Sequence, residues 1–403
     1  MHSLTKRWAV QGLVLAVVMS MSLIGPAVQS AGAASETYVV QSGDTLWGIA
    51  STHGVRVVDL AAANGLSLGD LLYVGQELVI PGGQATETAA AGAESAGLQL
   101  GSDPRVPDPL PALPVLALER PDPVVPLTYA RVITPNAPVY SHPSLASLSI
   151  PPKRLLGTGY IWVSVQSEYS YAGQTWYQIN AGEYVRAEDL WFYTPSSFRG
   201  IALGAQPERP FAWILQTATP RVTPAGATNT EAAAYGRYQL VQIFAAEQVG
   251  DQVWYLIGPY QWINQIYVGK VTPAPRPAGV APGAAWVDVN LFEQTMAVYT
   301  GDQMVYATLI SSGLPGWDTP TGLTQIWHRV EIGKMSGSEG RADYYFLEDV
   351  PWALYFNQAV SFHAAYWHND FGYHHSHGCV NLSPLDARWL WEWAPDDLWV
   401  WVH

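Results

Sequence analysis

The sequence predicts a multi-domain, mainly β protein. The chain has 403 residues, more than one hydrophobic core usually organises, so two to four domains are expected. Two proline-rich stretches, Pro104-Arg105-Val106-Pro107-Asp108-Pro109-Leu110-Pro111 and Thr272-Pro273-Ala274-Pro275-Arg276-Pro277, interrupt apolar sequence and mark boundaries. Charged residues make up 13% of the chain, against 49% hydrophobic with 18 tryptophans. That balance suits several small cores in an extracellular β-rich protein better than a cytosolic helical one. The formal charge of −14 disfavours nucleic acid as a partner.

At the N-terminus, Lys6 and Arg7 precede an apolar run from Trp8 to Ile24, and the small residues Ala31-Gly32-Ala33-Ala34 follow. This is the three-part pattern of a secretory signal peptide, residues 1–34, with cleavage expected after about Ala33 or Ala34; the alternative is a retained membrane anchor, since the apolar stretch is nearly long enough to span a bilayer. The protein is therefore expected to be exported, to the cell wall or another extracytoplasmic site.

Next come Tyr38-Val39-Val40, the turn residues Ser42-Gly43-Asp44, and Thr45 placed to cap a helix carrying Leu46, Ile49 and Ala50. Val58, Leu60 and Ala61 begin a second helix, and Glu77 to Ile80 closes a strand pair. Residues 36–82 resemble a LysM module, a small α+β fold. The resemblance implies binding of N-acetylglucosamine-containing glycan strands, with Gly43, Asp44, Thr45, Asn64, Gly65 and Leu66 at the groove.

Residues 83–126 are rich in Ala, Gly and Pro without a periodic apolar face, and are expected to form an extended spacer. Trp176-Tyr177-Gln178-Ile179 then recurs as Trp254-Tyr255-Leu256-Ile257, and Tyr184-Val185 as Trp262-Ile263, both at a spacing of 78 residues. A constant spacing over both pairs predicts two copies of one β-rich unit, residues 127–193 and 210–270, each resembling an SH3-like barrel. A proline-rich hinge, 271–284, leads into the last domain, 285–403, which this boundary predicts to be separable near Ala284.

The chemistry is expected in that last domain. Cys379 is the single cysteine and lies in Ser376-His377-Gly378-Cys379-Val380-Asn381-Leu382, with His363 sixteen residues upstream. One thiol cannot form an intramolecular disulfide, and a thiol flanked by imidazole and glycine reads as a nucleophile. His363 follows the alternating run Trp352, Leu354, Phe356, which reads as a strand delivering the imidazole to a cleft. It is the expected general base and acid. If residues 377–379 are extended, His377 shares the Cys379 face and is a second candidate. Gly378 permits close backbone approach and, with the Cys379 amide, is an expected oxyanion donor. Ser376 and Asn381 complete the site, Asn381 as a hydrogen-bonding group to loop or substrate. His363, His368, His374, His375 and His377 also form a histidine cluster, but neither a His-Glu-x-x-His helix nor a CxxC pair is present. No metal and no cofactor are expected.

His363, the Ser-His-Gly-Cys-Val-Asn-Leu run, Ser312-Gly313, Thr319-Pro320-Thr321-Gly322, Lys334-Met335 and Leu382-Ser383-Pro384-Leu385-Asp386-Ala387 resemble the β-rich, YkuD-type L,D-transpeptidase catalytic domain. One departure is Ala364, where many members have glycine or serine. That family uses the backbone carbonyl of this position to orient the imidazole, which alanine still supplies. The resemblance implies a peptidoglycan L,D-transpeptidase that joins third residues of stem peptides through a cysteine acyl-enzyme. Its implied partners are stem peptides, glycan strands and carbapenem-type inhibitors. Water as acceptor would give an L,D-carboxypeptidase instead, and a different class is an inactive wall-binding scaffold, against which the intact cysteine–histidine pair argues.

Overall fold

The computed structural model describes residues 36–40, 49, 53, 60, 63, 64, 66, 76–80, 103–341 and 343–403. The expected signal peptide, 1–34, lies outside these residues, as do Gly43, Asp44, Thr45 and Gly65. The fold is multi-domain and mainly β, and the described residues fall into two units, 36–80 and 103–403.

In the first unit β1 (Glu36–Val39) pairs antiparallel with β2 (Glu77–Ile80), Tyr38 opposite Leu78. Alternation along β2 turns Leu78 and Ile80 inward, where they pack with Val40, Ile49 and Leu60. Asn64, expected at the glycan groove, clamps the local backbone. Its amide nitrogen donates to the carbonyls of Leu60 and Val79, each at 2.8 Å, and its oxygen accepts the Val79 N–H at 2.7 Å. Leu66 is partly buried against the same core.

The second unit begins with a segment that is not a free spacer. Arg105 bridges Asp103 and Glu247, Val106 is buried with Trp254 and Trp262, and β3 (Val115–Leu116) joins a sheet. Proline forbids some ladder bonds, but an extended proline-flanked chain still fits an aromatic groove. The first repeat contains β4 (Thr128–Val132), β5 (Tyr160–Val165), β6 (Ser167–Tyr171), β7 (Gln174–Asn180), β8 (Glu183–Arg186) and β9 (Leu190–Phe192). After β10 (Ile201–Leu203), the second contains β11 (Phe211–Ile214), β12 (Leu240–Gln242), β13 (Ala245–Val249), β14 (Gln252–Gly258), β15 (Gln261–Asn264) and β16 (Val268–Val271). Their meanders share a register. Gln178 pairs with Tyr184 and Leu256 with Trp262, while Tyr169 pairs with Trp176 and Glu247 with Trp254. Each repeat buries one face, around Ile179 and Val185 in the first and Ile257 and Ile263 in the second.

The C-terminal part comprises β17 (Ala285–Asn290), β18 (Thr295–Thr300), β19 (Gln303–Leu309), β20 (Gly322–Gln325), β21 (His328–Gly337), β22 (Tyr345–Asn357), β23 (Val360–Ala364), β24 (Val380–Leu382), α1 (Pro384–Trp393) and β25 (Trp399–Val402). One sheet runs β9-β4-β5-β22-β23-β24, with β21 also on β22, and the other runs β20-β25-β17-β18-β19-β10-β3. Val287, Met296, Val298, Leu354, Phe356, Phe362, Val380 and Leu382 fill the space between them with Ala387 and Leu390 of α1. The Ser383 hydroxyl caps α1 by accepting the Asp386 N–H at 3.1 Å, and Pro384 opens its first turn.

Both sheets run through the expected boundary at Ala284. Strands β4, β5 and β9 belong to the first sheet, and β10 and β3 to the second. A shared core joins Trp286, Tyr299 and Leu309 to Trp162, Phe198, Trp213 and Tyr366. The expected hinge is docked as well: the Ala274 N–H donates to the Tyr299 hydroxyl at 2.9 Å, Arg276 pairs with Asp302, and Val280 is buried. Starting the chain at Ala284 would therefore bare the edges of β22 and β19 and expose core aromatics. That truncated protein is expected to precipitate or to melt about 10 °C or more below a chain starting at Asp103. Thermal unfolding followed by circular dichroism checks this, and matching midpoints would contradict it.

Candidate active site

Strands β23 and β24 are short and parallel, with Phe362 opposite Val380 and His363 opposite Asn381. Because side chains alternate, Phe362, Ala364, Val380 and Leu382 enter the apolar core on one face. Ser361, His363, Cys379 and Asn381 are left to the other. Ser361 Oγ lies 3.8 Å from Cys379 Sγ, and the thiol faces the Ala359 carbonyl, also at 3.8 Å. On its far side β24 is held by Ser311, whose N–H and carbonyl both bond the Asn381 backbone at 2.9 Å.

His363 is 2% exposed, and this burial pushes its pKa down to about 4, with the Ala364 carbonyl pulling the other way. Its Nδ1 is buried without a well-formed hydrogen bond. Burial raises the Cys379 thiol above its ordinary value, opposed by hydrogen bonds from the backbone and side chain of Ser361. The resting pair is therefore thiol and neutral imidazole, not an ion pair.

The loop before Cys379 is a bend, with φ of +114° at Gly378, a conformation glycine adopts without strain. His377 sits between Trp317 and Tyr345, its ring 4.9 Å from each. Burial lowers its pKa, and Asp343 pulls it back. Ser376 Oγ donates to the Cys379 carbonyl at 2.5 Å and accepts the Gly378 N–H at 3.1 Å. The Gly378 amide, expected to donate to an oxyanion, is engaged by Ser376 in the resting loop. Thr319 ties this loop down, accepting the Gly313 N–H at 3.0 Å and donating to the Gly378 carbonyl at 2.9 Å.

The other histidines form a supporting layer. His374 Nδ1 donates to the Gly313 carbonyl at 2.8 Å. His368 is buried, stacks on His375 at 4.0 Å, and accepts the Asp370 N–H at Nδ1. Burial keeps this ring neutral, so Nε2 carries the proton and donates to Asn381, 3.0 Å away, with the amide turned so that its otherwise unpartnered Oδ1 accepts. His368, Asp370 and His375 place ligand-type atoms within 4.8 Å of one another. Both nitrogens of His368 are already hydrogen-bonded, however, so an ion here would have to break the contact with Asn381. Asn369, in the same loop, accepts at its carbonyl from Tyr238 and Arg237, each at 2.6 Å, and contacts Ser196. The repeats thus hold the loop that leads to Cys379.

A groove of 380 Å³ opens beside the thiol, lined by Trp327, His328, Val330, Tyr355, Gln358 and Ala359. Neither this groove nor Tyr345 and Trp317 was expected from sequence, and Ser361 was expected only as part of the Val360-Ser361-Phe362-His363 run, without a role. Ser361 alone carried a readable signal, being two residues before His363 and so on its face of the strand. The groove depends on chain pairing that no local pattern encodes.

A buried imidazole and a thiol on neighbouring parallel strands of a two-sheet β fold define a cysteine–histidine site. Residues 284–402 match the L,D-transpeptidase catalytic domain and residues 38–81 the LysM domain, so the chain carries a YkuD-type catalytic domain and a LysM module. Among curated relatives, the "Putative L,D-transpeptidase YciB" of Bacillus subtilis (strain 168) is 30% identical over 126 residues, 28% of this chain and 61% of that protein. The "Probable N-acetylmuramidase" of Lactococcus lactis subsp. cremoris (strain MG1363) is 48% identical over 46 residues, 11% of this chain and 10% of that one. A solved L,D-transpeptidase from Stackebrandtia nassauensis aligns over 31% of this chain and 57% of its own, at 27% identity and a TM-score of 0.25. The chain thus spans about a tenth of the muramidase and three fifths of YciB.

Burial of neutral His363 makes stability pH-dependent. Below 6.5 the unfolded imidazole binds a proton that the folded one, with a pKa of about 4, does not. Its contribution is full above pH 6.5 and is lost as pH falls to about 4, amounting to about 3 kcal/mol. Urea unfolding at both pH values is expected to show His363→Leu losing about that much less stability than wild type. Equal losses would contradict it.

Proposed function

We propose that the protein is an exported, wall-associated peptidoglycan L,D-transpeptidase working through a Cys379 acyl-enzyme. The observation that carries this reading is the placement of Cys379 and His363 on one face of β23 and β24, within a stretch matching the L,D-transpeptidase catalytic domain. Cys379 Sγ attacks the carbonyl of the third residue of a stem tetrapeptide while His363, with Nδ1 unpartnered, takes the thiol proton. The Cys379 amide is the oxyanion donor, since the Gly378 amide is engaged with Ser376. The protonated His363 returns its proton to the leaving D-alanine amine. An amine of a second stem then attacks the thioester, giving a link between third residues and restoring the thiol. The groove at Trp327, His328 and Tyr355 gives a stem peptide a largely apolar bed that reaches the thiol at Ala359.

A low imidazole pKa keeps His363 in its base form down to about pH 4. The developing imidazolium is then a strong acid toward the leaving amine, which favours rapid collapse of the intermediate. Carbapenems present a strained acyl carbon to the same thiol and are proposed to acylate it. The LysM module holds the enzyme on glycan strands, raising the local concentration of stems.

Cys379→Ala is expected to abolish product, His363→Ala to lower the rate by about 10²–10⁴-fold, and His377→Ala by about tenfold or less. Incubation with muropeptides, with products weighed by mass spectrometry, reads all three and separates cross-linking from hydrolysis. Product from Cys379→Ala, or a larger loss at His377 than at His363, would refute the assignment.

A chain starting at Asp103 lacks the LysM module. It is expected to keep its carbapenem adduct at Cys379 while losing about tenfold or more in binding to purified sacculi. Pull-down on sacculi measures this, and undiminished binding would remove the module from the anchoring role.

A further inference from the structure

The proton arrangement around Cys379 leaves one question open, namely what stabilises the sulfur once it is ionised. The thiol faces the Ala359 carbonyl at 3.8 Å, which accepts an S–H but repels a thiolate. His363 lies opposite Asn381 rather than opposite Cys379, one step along the ladder. The hydroxyl of Ser361 approaches the sulfur at 3.8 Å, within hydrogen-bonding reach for sulfur. Ser361 is fully buried on β23, with Tyr355 of β22 as its partner on the other side. Unlike the carbonyl, a hydroxyl can turn its proton toward a thiolate.

We propose that Ser361 is a positioning residue for Cys379: its hydroxyl donates to Sγ as the thiolate forms, a fixed donor on the buried side of a part-exposed sulfur. This rests on Cys379 being the nucleophile. Burial otherwise disfavours ionisation, and a hydrogen bond to a charged sulfur is stronger than one to the neutral thiol, so the hydroxyl acts mainly on the activated state. The other titrating groups around the sulfur are Tyr345 and Tyr355 on β22, His363 on β23 and His377 in the preceding loop. The phenols of Tyr345 and Tyr355 are raised above their ordinary range, and both histidines are lowered. None of the four is changed by substituting Ser361.

The chain has a single cysteine, so the rate of iodoacetamide alkylation against pH reports the ionisation of Cys379 alone. Three variants separate the hydroxyl from the space it fills. Ser361→Ala removes it, while Ser361→Thr and Ser361→Val have the same shape and differ only in having or lacking a hydroxyl. Ser361→Ala and Ser361→Val are expected to raise the alkylation midpoint by about one pH unit and to slow alkylation at pH 7 about tenfold, with Ser361→Thr following wild type. An unchanged midpoint in folded Ser361→Ala overturns the proposal, as do equal shifts in the threonine and valine variants. Alkylation needs no muropeptide. Failure of the transpeptidase reading would therefore appear as wild-type protein that alkylates normally yet forms no product, separate from the Ser361 result.

Discussion

The parallel pairing of β23 with β24 is the constraint on which the rest of the site depends. A strand has a side-chain period of two, so one register decides everything at once. With Phe362 opposite Val380, four apolar side chains enter the core and four reactive or polar ones share the opposite face. A slip of one residue would bury Cys379 and Asn381 in apolar packing and turn Val380 and Leu382 toward the cleft. The core therefore enforces the chemistry, because slipping would cost the burial of several large side chains. A parallel pair also needs a long crossover. The histidine-rich loop supplies it, anchored by Tyr238 and Arg237 at Asn369.

Around this pair, the structure keeps charge out until it is needed. His363 and His368 are buried and neutral, and the thiol is raised above its ordinary value. Backbone groups of the catalytic loop are satisfied by hydroxyls: Ser376 serves Gly378 and Cys379, and Thr319 ties Gly313 to Gly378. Asp386 plays the corresponding part deeper in the fold, receiving the Gly200 N–H and the hydroxyls of Tyr306 and Thr308. A buried carboxylate with that many donors links α1, β19 and the segment entering β10 through a single side chain.

The two repeats use equivalent meanders differently. In the second, the face bearing Trp254, Leu256 and Trp262 is covered by Val106, with Arg105 stacked over Trp262 at 5.1 Å. In the first, Gln178 and Tyr184 stand at the positions of Leu256 and Trp262, and the face carries His142 among Tyr169, Tyr171 and Tyr184. Replacing leucine by glutamine at one position changes what the sheet can cover itself with. The first repeat instead extends its β5 into the sheet that holds β22 and β23.

The sequence by itself determined the mainly β character, the recurrence at a spacing of 78 residues and the stretch carrying Cys379 and His363, since each is written in local composition and spacing. Local pattern misjudged segments whose state depends on distant partners. The proline-rich stretches read as free spacers, yet Val106 and Val280 are buried. Asn64 also clamps the Val79 backbone, a contact that local pattern does not show. Nothing local showed that the Gly378 amide bonds Ser376 or that His377 packs between Trp317 and Tyr345. Only the tertiary structure decided that Ser361 touches the sulfur, that a groove opens at Trp327, and that the repeats share sheets with the catalytic strands. The physical reason is that strand edges, buried apolar faces and hydrogen-bond donors are satisfied by whichever residues the whole fold brings near, and sequence distance says little about which those are.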